Sequence, residues 1–308
     1  MGIGVGALIA LLPANALILI GTEGNTTAPT GTLAGSGWQF QGQWGNFLGT
    51  AISPYNFITS DAAGGNVGDS FVFGGVAYTT TKKTVDTLSG SGVGSDLVIW
   101  QVNKELPHYA PIHTVTDETG QSVAIFGRGA ERGAAVTVSS STRGWLWGAE
   151  NHAQRWGQNQ VALATDAYTG YRQIQMNFDL GGGANEATYS IGDIGGGVFI
   201  KVGSVWELAA LNAGVPWSFS KTGLPGSGFD AALYDTTSLY FGDDLSGWTP
   251  EDPGTSSYYL ATTISDKSFW VSVTVVPEPR EYGIAAGVAL AGYVILRRHA
   301  RRASAPTA

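Results

Sequence analysis

The chain has 308 residues, a formal net charge of −8, no cysteine and 43% hydrophobic residues. The apolar content excludes a disordered chain, the lack of cysteine excludes thiol catalysis and cysteine zinc sites, and the acidic balance argues against nucleic-acid binding. Glycine contributes 45 residues, about twice the usual share. Together with abundant Thr, Val, Tyr and Trp, this favours an all-β sandwich or barrel with many glycine turns.

The first sixteen residues have the pattern of a signal peptide. Residues 3–12 are apolar, and Ala14-Asn15-Ala16 has the small-x-small pattern of a cleavage site. No Lys or Arg precedes the apolar run, so a misplaced start or a buried strand remains an alternative. Residues 17–37 are predicted to form a flexible lead-in, because Gly, Thr and Ser dominate residues 21–37.

From Trp38 onward, short apolar runs alternate with turn residues. The Gly74-Gly75 pair and Gly203 are the predicted turns of two hairpins. Residues 221–257 are rich in loops and acidic side chains, and residues 260–275 fit either a helix or a strand. The predicted strands are 47–50, 56–59, 70–80, 96–102, 122–126, 134–140, 161–164, 171–178, 197–202 and 205–211.

Three segments of the chain resemble, in order, the chymotrypsin-like serine proteases. Residues 49–62 contain GTAISP followed by FITSDA, residues 95–100 read SDLVIW, and residues 192–199 read GDIGGGVF. The resemblance covers about residues 38–270. It implies two six-stranded barrels, a first one in residues 38–130 and a second one in residues 131–275.

The residues of the catalytic triad are largely absent from this match. A triad needs a hydroxyl nucleophile, an imidazole base and a carboxylate that orients the imidazole. The resemblance assigns the carboxylate to Asp96, but it places Ala62 at the base position and Ile194 at the nucleophile position. The backbone amides of Gly192 and Ile194 retain the positions of an oxyanion pocket. We therefore expect a fold without peptidase activity.

Other residues offer alternative functions. A displaced triad would need His108, His113 or His152 beside a serine such as Ser60 or Ser190. Carbohydrate stacking on Trp145, Trp147 and Trp156 is a further alternative to core packing of these side chains. The acidic residues between 230 and 252 contain oxygen ligands suited to calcium, although a solvated loop is the simpler interpretation. No metal and no cofactor are predicted.

The end of the chain has three parts in a fixed order. Val276-Pro277-Glu278-Pro279 contains two prolines, which exclude a regular helix and a central strand. An uncharged run follows at residues 282–296, and the basic cluster Arg297, Arg298, Arg301 and Arg302 follows that run. The run spans about 22 Å as a helix, short of the ~30 Å hydrocarbon core unless the bilayer thins. The cluster would remain on the cytoplasmic side.

This order resembles the PEP-CTERM sorting signal over residues 276–308. The resemblance implies a transient membrane helix, recognition by an exosortase-type processing enzyme and transfer to the cell surface or the extracellular space. The sequence thus predicts an exported, non-catalytic trypsin-like module that binds a polysaccharide or a protein of the extracellular matrix. A serine hydrolase with a displaced triad and a carbohydrate-binding surface protein remain the alternatives.

Overall fold

The computed structural model describes residues 17–21, 24–87 and 94–275. These residues form an all-β fold built around two closed six-stranded barrels. We number the strands β1 to β21 along the chain. The predicted signal peptide, the proline motif, the membrane helix at 282–296 and the basic cluster all lie outside the described residues. Within the described segments, no helix is both long and apolar enough to cross a membrane.

The first barrel is antiparallel throughout, and neighbouring strands follow the order β2-β3-β4-β7-β6-β5 before the barrel closes. Gly74-Gly75 forms the turn between β5 and β6, as the sequence predicts. The bounds are β2 Gln41–Trp44, β3 Phe47–Ser53, β4 Asn56–Ser60, β5 Ser70–Phe73, β6 Val76–Val85 and β7 Leu97–Val102.

The second barrel repeats the same connectivity, with strands in the order β8-β11-β12-β21-β15-β14. If the six strands of each barrel are numbered 1 to 6 along the chain, neighbouring strands in both barrels follow the order 1-2-3-6-5-4. Two closed barrels with one shared strand order confirm the chymotrypsin-like architecture. The bounds are β8 Ser122–Gly127, β11 Arg155–Thr165, β12 Gln173–Asn177, β14 Gly197–Val202, β15 Val205–Gly214 and β21 Tyr258–Thr263.

Three smaller sheets accompany the barrels. β1 pairs with β13, β10 pairs with β9 on one side and with β18 on the other, and four strands lie in the order β17-β16-β19-β20. Their bounds are β1 Ile18–Leu19, β9 Ala130–Val138, β10 Ser141–Glu150, β13 Ala187–Thr188, β16 Ser218–Ser220, β17 Gly228–Phe229, β18 Ala231–Leu233, β19 Tyr240–Asp243 and β20 Gly247–Pro250.

Short helical segments complete the described chain. One α-helix, α1, spans Ser268–Val275, so residues 260–275 contain both elements that the sequence allows: the end of β21 and then a helix. The 3₁₀ helices are Gly31–Leu33, Trp38–Phe40, Asp61–Ala63, Leu180–Gly182 and Ser265–Lys267.

The core of the first barrel is largely aromatic. Phe57 and Phe71 stack with ring centroids 3.9 Å apart, and Trp44 packs against Trp100 at 4.9 Å. Gly49 makes room for this stack, since a Cβ there would lie 2.6 Å from the Phe57 ring. The second barrel is filled mainly by aliphatic side chains from its own strands and by residues that precede the first barrel.

Two predictions about domain organisation are wrong. Residues 17–21 are not part of a flexible lead-in, because Leu17, Ile18 and Leu19 are at most 1% exposed and β1 pairs with β13. An apolar run lowers its free energy by leaving water, whatever the composition of the residues that follow it. The boundary at residue 130 is also misplaced, because β8 pairs with β11 and β14 of the second barrel.

Candidate functional site

Asp96, which immediately precedes β7, connects the two barrels through its carboxylate. Thr262 Oγ1 on β21 donates to Asp96 Oδ1 at 2.6 Å, and Ser60 Oγ at the end of β4 donates to Oδ2 at 3.0 Å. The Tyr171 hydroxyl is also a hydrogen-bond partner. Burial raises the pKa of the Asp96 carboxyl, and the bonds from Thr262 and Ser60 oppose that rise.

Ala62, the residue at the predicted base position, lies in the 3₁₀ helix that follows β4. Its side chain is exposed, and its backbone N–H donates to Ser60 Oγ at 3.3 Å. Ser60 therefore caps this turn and donates to Asp96 with the same hydroxyl. A carboxylate oxygen that a triad would use to orient an imidazole is occupied here by a serine hydroxyl.

Ile194, the residue at the predicted nucleophile position, packs against the core of the second barrel. The next residue, Gly195, approaches β4 so closely that a Cβ would lie 2.1 Å from Thr59 Oγ1 and 3.3 Å from Ser60 N. Because Ser60 also contacts Asp96 and Ala62, the fold brings the Asp96, Ala62 and Ile194 segments together at the barrel interface. Ala62 and Ile194, at the predicted base and nucleophile positions, carry neither an imidazole nor a hydroxyl.

The backbone amides of Gly192 and Ile194 are the predicted donors of an oxyanion pocket. Neither amide donates to an acceptor within the described part of the chain. However, Glu150 Oε2 lies 3.2 Å from the place of a Cβ on Gly192. A carboxylate at this distance opposes the build-up of negative charge that an oxyanion pocket stabilises.

Asp193 is buried and accepts several hydrogen bonds from neighbouring loops. Its side chain is fully buried and accepts bonds at 2.7 Å from Gly129 N, Ser190 N and Ser190 Oγ. Burial raises the pKa of Asp193 to about 6, although these bonds oppose the shift. Ser190 is thereby committed to Asp193, which argues against Ser190 as a displaced nucleophile.

The three described histidines contact no serine or threonine hydroxyl. His108 Nε2 bonds to the Gln39 carbonyl at 2.8 Å. His113 lies between Glu207 and Asp117, at 2.9 and 3.1 Å. His152 Nδ1 is buried with no partner among the described residues. A displaced triad needs a base within hydrogen-bond reach of its nucleophile, and the described histidines do not provide one.

The three tryptophans predicted as a stacking surface are half-buried, and Trp145 and Trp147 pack against one buried cluster. Trp145 lies under the Arg132 guanidinium, 4.4 Å from the ring centre, and Trp147 packs against Tyr189 at 5.9 Å. Trp156 Nε1 donates to the Thr27 carbonyl at 2.9 Å. They form packing contacts rather than one exposed stacking surface.

Part of the acidic stretch after residue 221 forms strands β17 to β20. Asp243 accepts bonds from the backbone of Leu245 and Ser246, and Asp244 Oδ2 accepts from Gly226 N at 2.9 Å. These carboxylates hold turns of the sheet. Across the described segments, no group of three or more His, Asp or Glu side chains is arranged to hold a metal ion.

Sequence reasoning missed Thr262 and Tyr171 as partners of Asp96 and assigned no such role to Ser60. From its sequence position, two residues before Ala62, Ser60 is predicted only as a possible nucleophile of a displaced triad. Thr262 is 166 positions from Asp96, and no motif marks it, because a threonine in a strand usually reflects β propensity. These contacts require the closed second barrel.

Comparison with known proteins assigns no family to the chain. No protein family model matches the chain, and no curated protein matches it. Among solved structures, a mutant of human heparin binding protein is similar, with 12% identity and a TM-score of 0.46 over 78% of this chain and 93% of that chain. We base the fold assignment on the strand order of the two barrels.

Proposed function

We propose that this protein is an exported, non-catalytic trypsin-like module that binds a component of the extracellular matrix at the cell surface. The observation that carries the proposal is the hydrogen-bonded group of Ser60, Asp96 and Thr262. It satisfies the carboxylate of a former triad, while Ala62 and Ile194 stand in place of the base and the nucleophile.

A small cavity beside Thr188 and Tyr189 supports the same proposal. A cavity lined by Tyr189, Trp217 and Tyr258 has a volume of only about 20 Å³, room for about one water molecule. It cannot accept a substrate side chain without rearrangement. A protease-like fold does not imply protease activity, because function depends on the site.

The catalytic part of the proposal is tested with a fluorophosphonate probe, which labels activated serines. The natural chain is compared with a Ser60→Ala/Ala62→His/Ile194→Ser variant, in which an Asp96 oxygen is released and both missing groups are restored. The same variant with Ile194→Ala is the matched control. We expect no label on the natural chain and label on the Ile194→Ser variant alone. Label on a defined serine of the natural chain would contradict the proposal.

Surface display rests on the sequence of residues 276–308. Replacing Val276-Pro277-Glu278-Pro279 with four alanines removes the proposed recognition motif. We expect the altered chain to stay uncut and membrane-associated, whereas the natural chain loses mass and reaches the surface. Fractionation with intact-mass measurement checks this, and equal processing of both chains would exclude a role for the motif.

A further inference from the structure

We propose that a pocket beside Ala63 binds a neutral sugar residue of an extracellular polysaccharide. This inference rests on the proposed non-catalytic binding function and names its ligand class. The pocket lies between the β2–β3 turn and residues 63–70 of the first barrel, and its volume is about 430 Å³. That volume falls within the range of small-molecule sites, and the pocket begins one residue after Ala62.

One side of the pocket is aromatic and rigid. Trp44 and Phe47 line it together with Ala63 and Gly65. Trp44 Nε1 donates to the Gly64 carbonyl at 3.0 Å, which fixes the indole. Gly65 has a φ of +100°, and a Cβ there would lie 2.1 Å from the Trp44 ring, so the backbone packs directly on the ring. Trp44 itself is only 2% exposed, because the Gly65 backbone covers its ring. The half-buried Phe47 therefore supplies the accessible apolar surface for the C–H face of a pyranose.

The other side of the pocket is polar, and its side chains have bonding capacity to spare. The Asn46 amide and the Ser70 hydroxyl form no hydrogen bond within the described segments, and both residues are exposed. Asp69 Oδ2 accepts from Asn66 N at 2.7 Å, which orients the carboxylate and leaves Oδ1 available. Sugar hydroxyls both donate and accept, so they match an amide, a hydroxyl and a carboxylate together.

The charge of the pocket selects among polysaccharides. Asp69 is the charged residue among those that line it, and the chain has a net charge of −8. The net charge of the whole protein would repel an anionic polysaccharide, although the Arg128 guanidinium bound to the Gly45 carbonyl opposes the Asp69 charge locally. A neutral glycan avoids that cost and uses Asp69 as an acceptor.

The pocket is also held in shape by the second barrel. Arg128, just after β8, donates from Nη1 to the Gly45 carbonyl at the pocket rim, at 3.1 Å. The Arg128 side chain is half-buried, and burial lowers its pKa. Because a preformed site loses less conformational freedom on binding, a single sugar residue can be bound without rearrangement of the hairpin.

The experiment is affinity electrophoresis of the full chain in native gels that contain dextran, galactomannan, a neutral β-glucan or anionic alginate. Asn46→Ala and Ser70→Ala remove groups with no intramolecular bond, and Asp69→Ala removes the acceptor. Ser204→Ala, in the β14–β15 turn, is the matched control outside the pocket. Circular dichroism establishes that each variant is folded.

We expect retardation by at least one neutral polysaccharide, a roughly tenfold weaker apparent affinity for Asp69→Ala, and no change for Ser204→Ala. A tenfold change corresponds to about 1.4 kcal/mol. The proposal is overturned if no neutral polysaccharide retards the chain, if alginate alone does, or if the pocket variants migrate like the natural chain. Fluorophosphonate labelling is independent of this result, so the two proposals can fail separately.

Discussion

Ser60 Oγ at the end of β4 and Asp96 Oδ2 beside β7 form a hydrogen bond of 3.0 Å. With Thr262 on the other oxygen, the carboxylate stabilises the junction of the two barrels. The structure thus gives this aspartate a role in joining the two barrels.

Replacement of Thr262 tests this role of Asp96. Thr262→Val leaves one carboxylate oxygen without its donor, and we expect the free energy of unfolding to fall by about 1–3 kcal/mol. Urea denaturation measures the loss. The exposed Thr81, which bonds to the Gln101 carbonyl at 3.3 Å, provides the control: Thr81→Val should change stability by about 0.5 kcal/mol or less. A double-mutant cycle with Asp96→Asn should show coupling, and strictly additive losses would refute the network.

The close approach of Gly195 to β4 predicts a large effect of one added methyl group. At Gly195, with a φ of +76°, a Cβ would lie 2.1 Å from Thr59 Oγ1 and 2.7 Å from the Leu48 carbonyl. Gly203 has a φ of +60° and open space around its Cβ position. Gly203→Ala should cost about 1–2 kcal/mol from backbone strain, and Gly195→Ala clearly more. Thermal unfolding measures the stability of the two variants. Equal losses of stability would show that the loop at Gly195 can move away from β4 at little cost.

Glu186 predicts a pH dependence of stability. It is 5% exposed, and burial, supported by the nearby Asp179 carboxylate, raises the pKa of Glu186 from 4.5 to about 8. The folded state thus retains the proton that the unfolded state releases, and stability falls as pH rises from about 4.5 to about 8. At most, the loss approaches about 4 kcal/mol.

Glu186→Gln keeps a neutral side chain of similar shape and removes this titration. We expect the variant to match the natural chain at pH 5 and to become progressively more stable than it towards pH 8. Urea midpoints at several pH values measure the difference. Parallel curves for the two proteins would mean that Glu186 is already ionised at low pH.

Local patterns in the chain were enough to predict the all-β class and the hairpins at Gly74-Gly75 and Gly203. Strand alternation and turn chemistry act over a few residues, and the identity of a side chain needs no fold to be read. These features follow from short stretches of sequence.

Closure of the barrels determined the rest. The pairing of Ile18 with Thr188, the membership of β8 in the second barrel and the contact between Thr262 and Asp96 all join distant parts of the chain. No local preference encodes such contacts, because they depend on which apolar faces meet when each barrel closes. The same closure forms the pocket beside Ala63, so the candidate sugar site became apparent only in three dimensions.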